Sequence, residues 1–154
     1  YEVTYLDEDG KKVINKNINV MNRKKLISAV QQICSNYGYS FRVVDAQSLS
    51  AQSPALPAAV LVTPEFQKIE GRSRGRITYK VVLHLFEKGA RLSPEEQSEQ
   101  LSQMENDMLD MFLQLSENES VAMVANLQID SASHIKLGRA ELSATATADV
   151  VIIF

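Results

Sequence analysis

Residues 76–115 read RITYKVVLHLFEKGARLSPEEQSEQLSQMENDMLDMFLQL, and they combine the pattern of a long strand with that of a long helix. At its start, from Ile77 to Leu85, every second residue is apolar, which is the period of a strand that buries one face. Ser93-Pro94-Glu95-Glu96 then combines an N-cap serine, proline at the first helical position and glutamate at the third, which indicates a helix start. The sequence therefore predicts a long strand followed by a capped helix.

This helix must lie across an apolar surface. Its apolar residues recur on one face over about six turns of 3.6 residues each. They are Leu101, Met104, Met108, Met111, Phe112 and Leu115. Two more strands are predicted at Val121–Ile129 and Arg139–Phe154. One face of the second is built mostly of small residues, which would let a helix approach closely: Ala140, Leu142, Ala144, Ala146 and Ala148.

Another helix and strand precede this core. Apolar residues within Leu26–Tyr37 recur at helical spacing, with Asn22 placed to cap the start and Gly38 to cap the end. Phe41–Ala46 has the pattern of a strand. The Ser-, Ala- and Gln-rich segment Gln47–Pro57 contains two prolines and is expected to be an internal loop.

Two hairpins complete the predicted elements. Ala58–Thr63 and Phe66–Ile69 form a strand interrupted near Pro64, and Gly71–Gly75 connects it to the long strand. Residues 1–20 are expected to form an N-terminal hairpin extension, with Asp9-Gly10 at its turn. The end of the chain, residues 150–154, is uncharged and apolar, so its own sheet or the edge of a neighbour must cover it.

The order of these elements predicts an α+β fold. Runs of strands, without strict alternation of strands and helices, favour a mostly antiparallel sheet of four to five strands. Two helices are expected to pack on one face of this sheet, in addition to the N-terminal hairpin. Because 154 residues is the length of one ordinary domain, we expect residues 1–154 to form a single domain.

Composition places the chain among ordinary globular proteins. It is 45% hydrophobic and 23% charged, close to the globular average. Its single cysteine, Cys34, cannot form an intramolecular disulfide, and no stretch approaches the roughly 18 consecutive apolar residues of a membrane span. We therefore expect a soluble protein made in a reducing compartment. A net charge of −3 gives no reason to expect general attraction to nucleic acid or to an anionic membrane.

The sequence contains no recognisable catalytic, cofactor or metal site. Neither His84 nor His134 has a Cys, His or carboxylate nearby at ligand spacing. Cys34 lies on the apolar stripe of the first helix, where burial would raise the pKa of the thiol and make it a poor nucleophile. The common hydrolase and nucleotide-binding motifs are missing. A non-enzymatic protein with no cofactor, metal or small-molecule substrate is favoured.

Charge is distributed unevenly along the chain. Residues 93–119 contain eight acids and no Lys or Arg, whereas residues 68–91 contain seven basic residues and two acids. The acids fall mostly off the apolar stripe of the long helix, so a solvated helix face is favoured over a catalytic carboxylate pair. Met104, Met108 and Met111 could form an adaptable binding groove, but core packing is the favoured interpretation.

Two basic clusters are candidate contacts with another subunit or partner. Arg72, Arg74 and Arg76 alternate with Ser and Gly on a protruding hairpin, where they could bind phosphate or the carboxylates of a neighbouring subunit. A solvated loop tip is the alternative. The run of basic residues at positions 23–25, Arg23, Lys24 and Lys25, is placed at the start of the first helix, where the helix dipole disfavours cations. Such a conflict can mark a contact with an anion or an acidic partner, and a solvated face is its alternative.

From Ala58 onward the arrangement resembles the tail terminator and tail-completion proteins of long-tailed bacteriophages. The likeness rests on Ala58–Thr63, Arg76–Phe86, the helix Pro94–Leu115 and the closing strands after Ser120. An amphipathic helix precedes the sheet in those proteins, and Arg23–Tyr37 matches it here. The likeness covers about two-thirds of the chain in order and pattern, while residues 1–19 have no clear counterpart.

The resemblance implies a structural protein that forms a ring, often a hexamer, on the last ring of the tail tube and joins tail to head. Its partners would be further copies of itself, the tail tube and the head–tail connector proteins, with DNA passing through the ring and no membrane contact. It would be present in the bacterial cytoplasm during assembly and then in the virion tail. The resemblance carries no catalytic residues.

The charge pattern is compatible with a ring. Head-to-tail contacts between identical subunits can close into a ring, and here the arginines of the hairpin could meet Glu95 and Glu99 or face a lumen that DNA crosses. The competing hypothesis is a bacterial adaptor that holds a peptide on a sheet edge or on the Met-rich helix. An enzyme with an unrecognised site is the third.

Overall fold

The predicted long strand is a central strand of a mixed sheet. The structure, a computed structural model, describes residues 3–6, 12–15, 18–51, 54–71, 74–133 and 141–154. Its elements in chain order are β1 (Val3–Leu6), β2 (Lys12–Asn15), α1 (Ile18–Asn36), β3 (Ser40–Val44), a 3₁₀ helix (Ala46–Ala51), β4 (Ala58–Val62), β5 (Glu65–Glu70), β6 (Arg76–Lys88), α2 (Pro94–Ser116), β7 (Val121–Ser133) and β8 (Glu141–Ile153).

The sheet has six strands in the order β3-β4-β6-β8-β7, with β5 also paired to β6. This confirms an α+β fold but adds a strand to the four to five predicted. The extra strand arises at Pro64, because β4 and β5 are separate strands that pair with the second and first halves of β6. The long β5–β6 hairpin is as predicted, with Glu70 opposite Arg76.

One strand pair departs from the expected antiparallel arrangement. β3 and β4 run parallel, with Ser40 opposite Ala58 and Val44 opposite Val62. The segment between them, predicted as a loop, begins with the 3₁₀ helix and returns the chain to the end of the sheet where β3 started. Its Leu49 and Leu56 pack on a small buried cluster formed by Val44, Ala58, Val60 and Phe86. The connection therefore covers the sheet face opposite the helices.

Both helices pack on the same face of the sheet, as predicted. The face is formed by alternate residues of β6, from Ile77 to Leu85, and of β8, from Leu142 to Ile152, and these join one buried core with residues of α1 and α2. α2 lies against β7 and β8. The small side chains of Ala144, Ala146 and Ala148 are at most 1% exposed beneath it. The apolar end of β8 is covered by β6 on one side and β7 on the other.

The predicted start of α2 is confirmed in detail. The Ser93 side chain accepts a hydrogen bond from the Glu96 amide, and the Glu96 carboxylate accepts one from the Ser93 amide, at 3.1 Å each. This reciprocal capping box satisfies two backbone donors that the helix itself leaves free. Hydrogen bonding of the Glu96 carboxylate to the backbone and then to the side chain of Ser93 lowers the pKa of Glu96.

The predicted start of α1 is wrong by one turn. The helix begins at Ile18, and Asn22 is buried inside it, with its Nδ2 donating a hydrogen bond to the Ile18 carbonyl at 2.7 Å. Its Oδ1 has no hydrogen-bond partner within the described part of the chain. Asparagine is typical of an N-cap, and for this reason the sequence favoured Asn22 as the start of the helix. The buried Ile18, one turn earlier, continues the apolar stripe of α1.

The end of α1 is as predicted. Gly38 has a φ of +84°, a conformation that favours glycine. The amides of Gly38 and Tyr39 donate to the carbonyls of Ser35 and Cys34 at 3.0 and 3.2 Å. These two bonds form a Schellman motif, which ends the helix and directs the chain into β3.

Val3–Leu6 and Lys12–Asn15 form the predicted N-terminal hairpin as a separate antiparallel pair, with Val3 opposite Asn15 and Leu6 opposite Lys12. The predicted extension to residue 20 is wrong, because residues 18–20 belong to α1. The predicted turn of the hairpin at Asp9-Gly10 lies outside the described residues. Neither described helix is long and apolar enough to cross a membrane.

Candidate interaction surfaces

Two positions of the arginine hairpin are packed so closely that only glycine fits. Gly71 has a φ of +119°, and a Cβ there would lie 2.0 Å from the Arg74 carbonyl oxygen. Gly75 exchanges two backbone hydrogen bonds with Phe154, at 3.0 and 3.1 Å, and a Cβ on it would lie 1.9 Å from the Phe154 ring. The hairpin is therefore joined to the end of β8, at one end of the sheet.

The hairpin presents two positive charges to solvent. Arg74 and Arg76 are exposed, and neither forms an ion pair with any described residue. Arg72 lies outside the described residues. The nearby Lys68 and Glu70 form an exposed ion pair at 3.5 Å, which contributes little because solvent screens it.

Exposed carboxylates lie at the opposite end of β6. Glu95 and Glu99 are both exposed in the first turns of α2, which follows β6 after a short turn. Since β6 has 13 residues, its two ends are separated by about 40 Å at 3.3 Å per residue. Glu95 and Glu99 therefore cannot reach Arg74 or Arg76 within one chain, and the structure does not bring the two predicted groups together.

The basic run at positions 23–25 does not open α1 but lies in its second turn. The predicted conflict with the helix dipole is therefore wrong, because the dipole acts mainly on the first and last turns. Arg23 makes contacts inside the chain: its Nε donates to the Pro64 carbonyl at 3.0 Å, and its guanidinium lies 5.5 Å from the centre of the Tyr79 ring. Lys24 and Lys25 are exposed and form no ion pair with any described residue.

Lys24 and Lys25 border a groove that the sequence did not predict. The groove has a volume of about 560 Å³ and lies between α1 and the turn from α2 to β7. Its lining residues are Met21, Lys24, Lys25, Leu26, Ser28, Ala29, Gln32, Asn118, Ser120 and Ile152. Since Ile152 pairs with Ile77, next to Arg76, the groove lies at the same end of the sheet as the arginine hairpin. This end, with Lys24, Lys25, Arg74 and Arg76, is called the basic end.

A half-buried polar cluster connects β6, α2 and the segment between α1 and β3 near the other end of the sheet. Tyr39 donates a hydrogen bond to Asp107 at 3.4 Å, and Gln100 donates one to Glu87 at 3.0 Å. Burial and the nearby Asp107 charge raise the pKa of Glu87, while Lys88 opposes the shift. Burial and the same carboxylate raise the pKa of Tyr39. These contacts attach the end of β6, and the segment that leads from α1 into β3, to α2.

Replacing Glu87 with Gln is expected to stabilise the protein at neutral pH. The raised pKa of Glu87 means that its charged form is disfavoured in the folded state, so folding is penalised once the pH exceeds the ordinary carboxyl value. Below about pH 4 the carboxyl is protonated in both states and the penalty disappears. The stability gain of Glu87→Gln over wild type should therefore shrink as the pH falls from 7 to below 4 in denaturant titrations. Glu119→Gln, at an exposed position, is the matched control, and an identical pH profile for both variants would contradict the assignment.

The remaining candidates from the sequence have structural roles or lie outside the described residues. Met104, Met108 and Met111 are at most 2% exposed, so they fill the core as favoured and offer no surface to a peptide. Cys34 is fully buried, which raises its pKa to about 12. The Nδ1 of His84 lies 2.8 Å from the Thr145 hydroxyl, and His134 is not described. No three His, Cys, Asp or Glu residues among those described are grouped so that they could hold a metal ion.

Comparison with known proteins assigns no family. No family model matches the chain, and no curated protein matches its sequence. The functional proposal therefore rests on the geometry and charge of the surfaces described above.

Proposed function

We propose that this chain is a non-enzymatic structural protein of phage or prophage tail assembly. It forms a ring at the head-proximal end of the tail tube and joins tail to head. Its partners are further copies of itself, the tail tube and the head–tail connector proteins, and DNA passes through the ring. It is present in the bacterial cytoplasm during assembly and then in the virion tail.

The observation that carries the proposal is the placement of exposed charge at the two ends of β6. The exposed arginines of the hairpin lie at one end and the exposed Glu95 and Glu99 at the other, about 40 Å away by strand length. Opposite charges so placed can pair between copies but not within one. A contact between different surfaces of identical subunits is heterologous, and repetition of such a contact closes into a ring when the rotation between subunits allows it.

The architecture supports the same proposal. An amphipathic helix precedes a sheet with a long hairpin, a long capped helix follows, and two long strands end the chain, in the order that the resemblance to tail terminator proteins requires. The fold alone does not determine function. The sheet places the exposed arginines of the hairpin and the exposed Glu95 and Glu99 at opposite ends of β6.

The alternative, a peptide-binding adaptor, has less support. The methionines of α2 are buried, so a peptide would have to add to a sheet edge. β7, the long edge strand, has register shifts between Val121 and Met123 and between Ala125 and Gln128, and Asn126 has a φ of +57°. Such bulges interrupt the regular row of backbone groups that an added strand needs.

Reversing the charge of the hairpin should disrupt self-association. In Arg74→Glu/Arg76→Glu the hairpin would repel Glu95 and Glu99 of the next copy, and like charges at an interface cost several kcal/mol. The oligomer is expected to dissociate to monomer, and adding Glu95→Arg/Glu99→Arg to the same chain should restore it. Analytical ultracentrifugation at several protein concentrations measures both effects.

The matched control is Lys80→Glu/Lys88→Glu, which changes the net charge by the same amount at exposed positions of β6 outside the hairpin turn. This variant should keep the mass of the wild type. If Arg74→Glu/Arg76→Glu also keeps that mass, the charged ends do not form the contact between copies and the proposal loses its main support.

A further inference from the structure

We infer that the groove beside Lys24 and Lys25 receives the start of α2 from a second copy of this chain. The inference rests on the proposed function, because it names the surface through which consecutive subunits meet. It goes further by assigning a receiving site on α1, where the proposed function uses only the arginine hairpin. The occupant is the segment Pro94–Glu99 of the neighbouring copy.

The groove has the chemistry to hold an acidic helix end. Leu26 and Ile152, each 1% exposed, form an apolar floor, and Met21, 54% exposed, extends that apolar surface at the rim. Ser28, Gln32, Asn118 and Ser120 add hydrogen-bonding groups. The two lysines supply positive charge, and neither forms an ion pair with a described residue of the same chain.

The start of α2 has the complementary features. Glu95 and Glu99 are four residues apart, so they lie on the same side of the helix, where like charges destabilise it. No Lys or Arg occurs between Ser93 and Glu119 to relieve this repulsion. Pro94, exposed at the first helical position, adds an apolar ring to the same protruding end.

Charge complementarity and position both favour a second copy as the occupant. The groove lies at the basic end of the sheet, beside the arginine hairpin, whereas Pro94–Glu99 lies at the opposite end of β6. A chain therefore cannot fill its own groove with its own α2 start. In a head-to-tail contact the same acidic end would meet both the hairpin and the groove, so the lysines and the arginines would act on one interface.

Cross-linking between two variants, each carrying one added cysteine, tests the contact directly. Lys25→Cys and Glu99→Cys proteins, one carrying a size tag, are mixed and treated with a short bis-maleimide. The native Cys34 is fully buried and should not react. Dimers of unlike chains are expected at a yield at least about tenfold above that of the control mixture of Val43→Cys and Glu99→Cys, because local contact raises the effective concentration of the thiols. Val43 is exposed on β3, away from the groove.

Charge reversal in the groove gives a second readout. Lys24→Glu/Lys25→Glu should weaken self-association at least about tenfold, as expected for like charges brought together at an interface. Lys24→Gln/Lys25→Gln should weaken self-association less. This variant keeps the test valid if Lys24→Glu/Lys25→Glu fails to fold. Circular dichroism of each variant establishes folding.

The outcomes separate this inference from the proposed function. If the wild type forms a ring that Arg74→Glu/Arg76→Glu breaks, but the groove variants neither cross-link nor change the mass, the inference is overturned and the ring stands. A groove that serves a different protein would give that same result. If cross-links form but the assembly is an open chain or a dimer, the groove contact is supported and the ring is not. A chain that stays monomeric and does not cross-link overturns both.

Discussion

Replacing Met108 with Ala is expected to lower the free energy of unfolding by about 2–5 kcal/mol, the range measured for large-to-small changes in protein cores. The Met108 side chain is fully buried between α2 and the sheet. Removing it loses the transfer free energy of the deleted atoms and leaves a cavity that the rigid sheet cannot fill. Urea titration at low protein concentration, where association contributes little, measures the change.

Asn106→Ala is the matched control for this prediction. Asn106 lies in the middle of the same helix but is exposed, so its replacement should change the free energy of unfolding by no more than about 0.5 kcal/mol. Equal effects of the two variants would mean that the apolar stripe of α2 does not face the core.

Replacing Ala146 with Leu should destabilise the protein by about 1–3 kcal/mol, because added methylenes in a packed core force neighbouring groups to move. Ala146 is fully buried on the face of β8 that α2 covers, opposite Leu83 of β6. The small side chain lets the helix approach the sheet closely. The thermal midpoint and the denaturant midpoint should both fall.

The neighbouring residue provides the control for this second prediction. Thr147 points to the other face of β8, which the helices do not cover, and it is partly exposed. Thr147→Leu should therefore have a much smaller effect than Ala146→Leu. If Thr147→Leu is the more destabilising of the two, the assignment of the covered face is wrong.

Local signals in the sequence predicted the elements that local interactions determine. The capping box at Ser93 and Glu96 involves residues three apart, and Gly38 ends α1 through bonds to the preceding turn. The alternation in β6 predicted which of its faces joins the main core beneath the helices. In each case the physical cause lies within a few residues of its effect.

The misplaced features depend on contacts between distant residues. The parallel pairing of β3 and β4 follows from where the connection between them packs, with Leu49 and Leu56 on the far face of the sheet. The start of α1 was misplaced because Asn22, a typical cap, is instead buried within the helix. Tertiary packing overrode the local preference in both places.

The candidate surfaces were predicted in part. Exposure of Arg74, Arg76, Glu95 and Glu99 followed from their positions in a turn and on the polar face of a helix. Their placement at opposite ends of β6 required the strand length and the sheet topology. The groove could not be predicted, because Met21, Ser120 and Ile152 meet only in the folded chain.

The solution mass of the purified wild-type chain over a wide concentration range shows whether the chain forms a ring. Native mass spectrometry and light scattering both measure it. We expect a closed oligomer of about six subunits, because repeated heterologous contacts that close give a fixed size. The mass should then stop rising with concentration. A chain that remains monomeric at every concentration, or a mass that rises without limit, would contradict the ring.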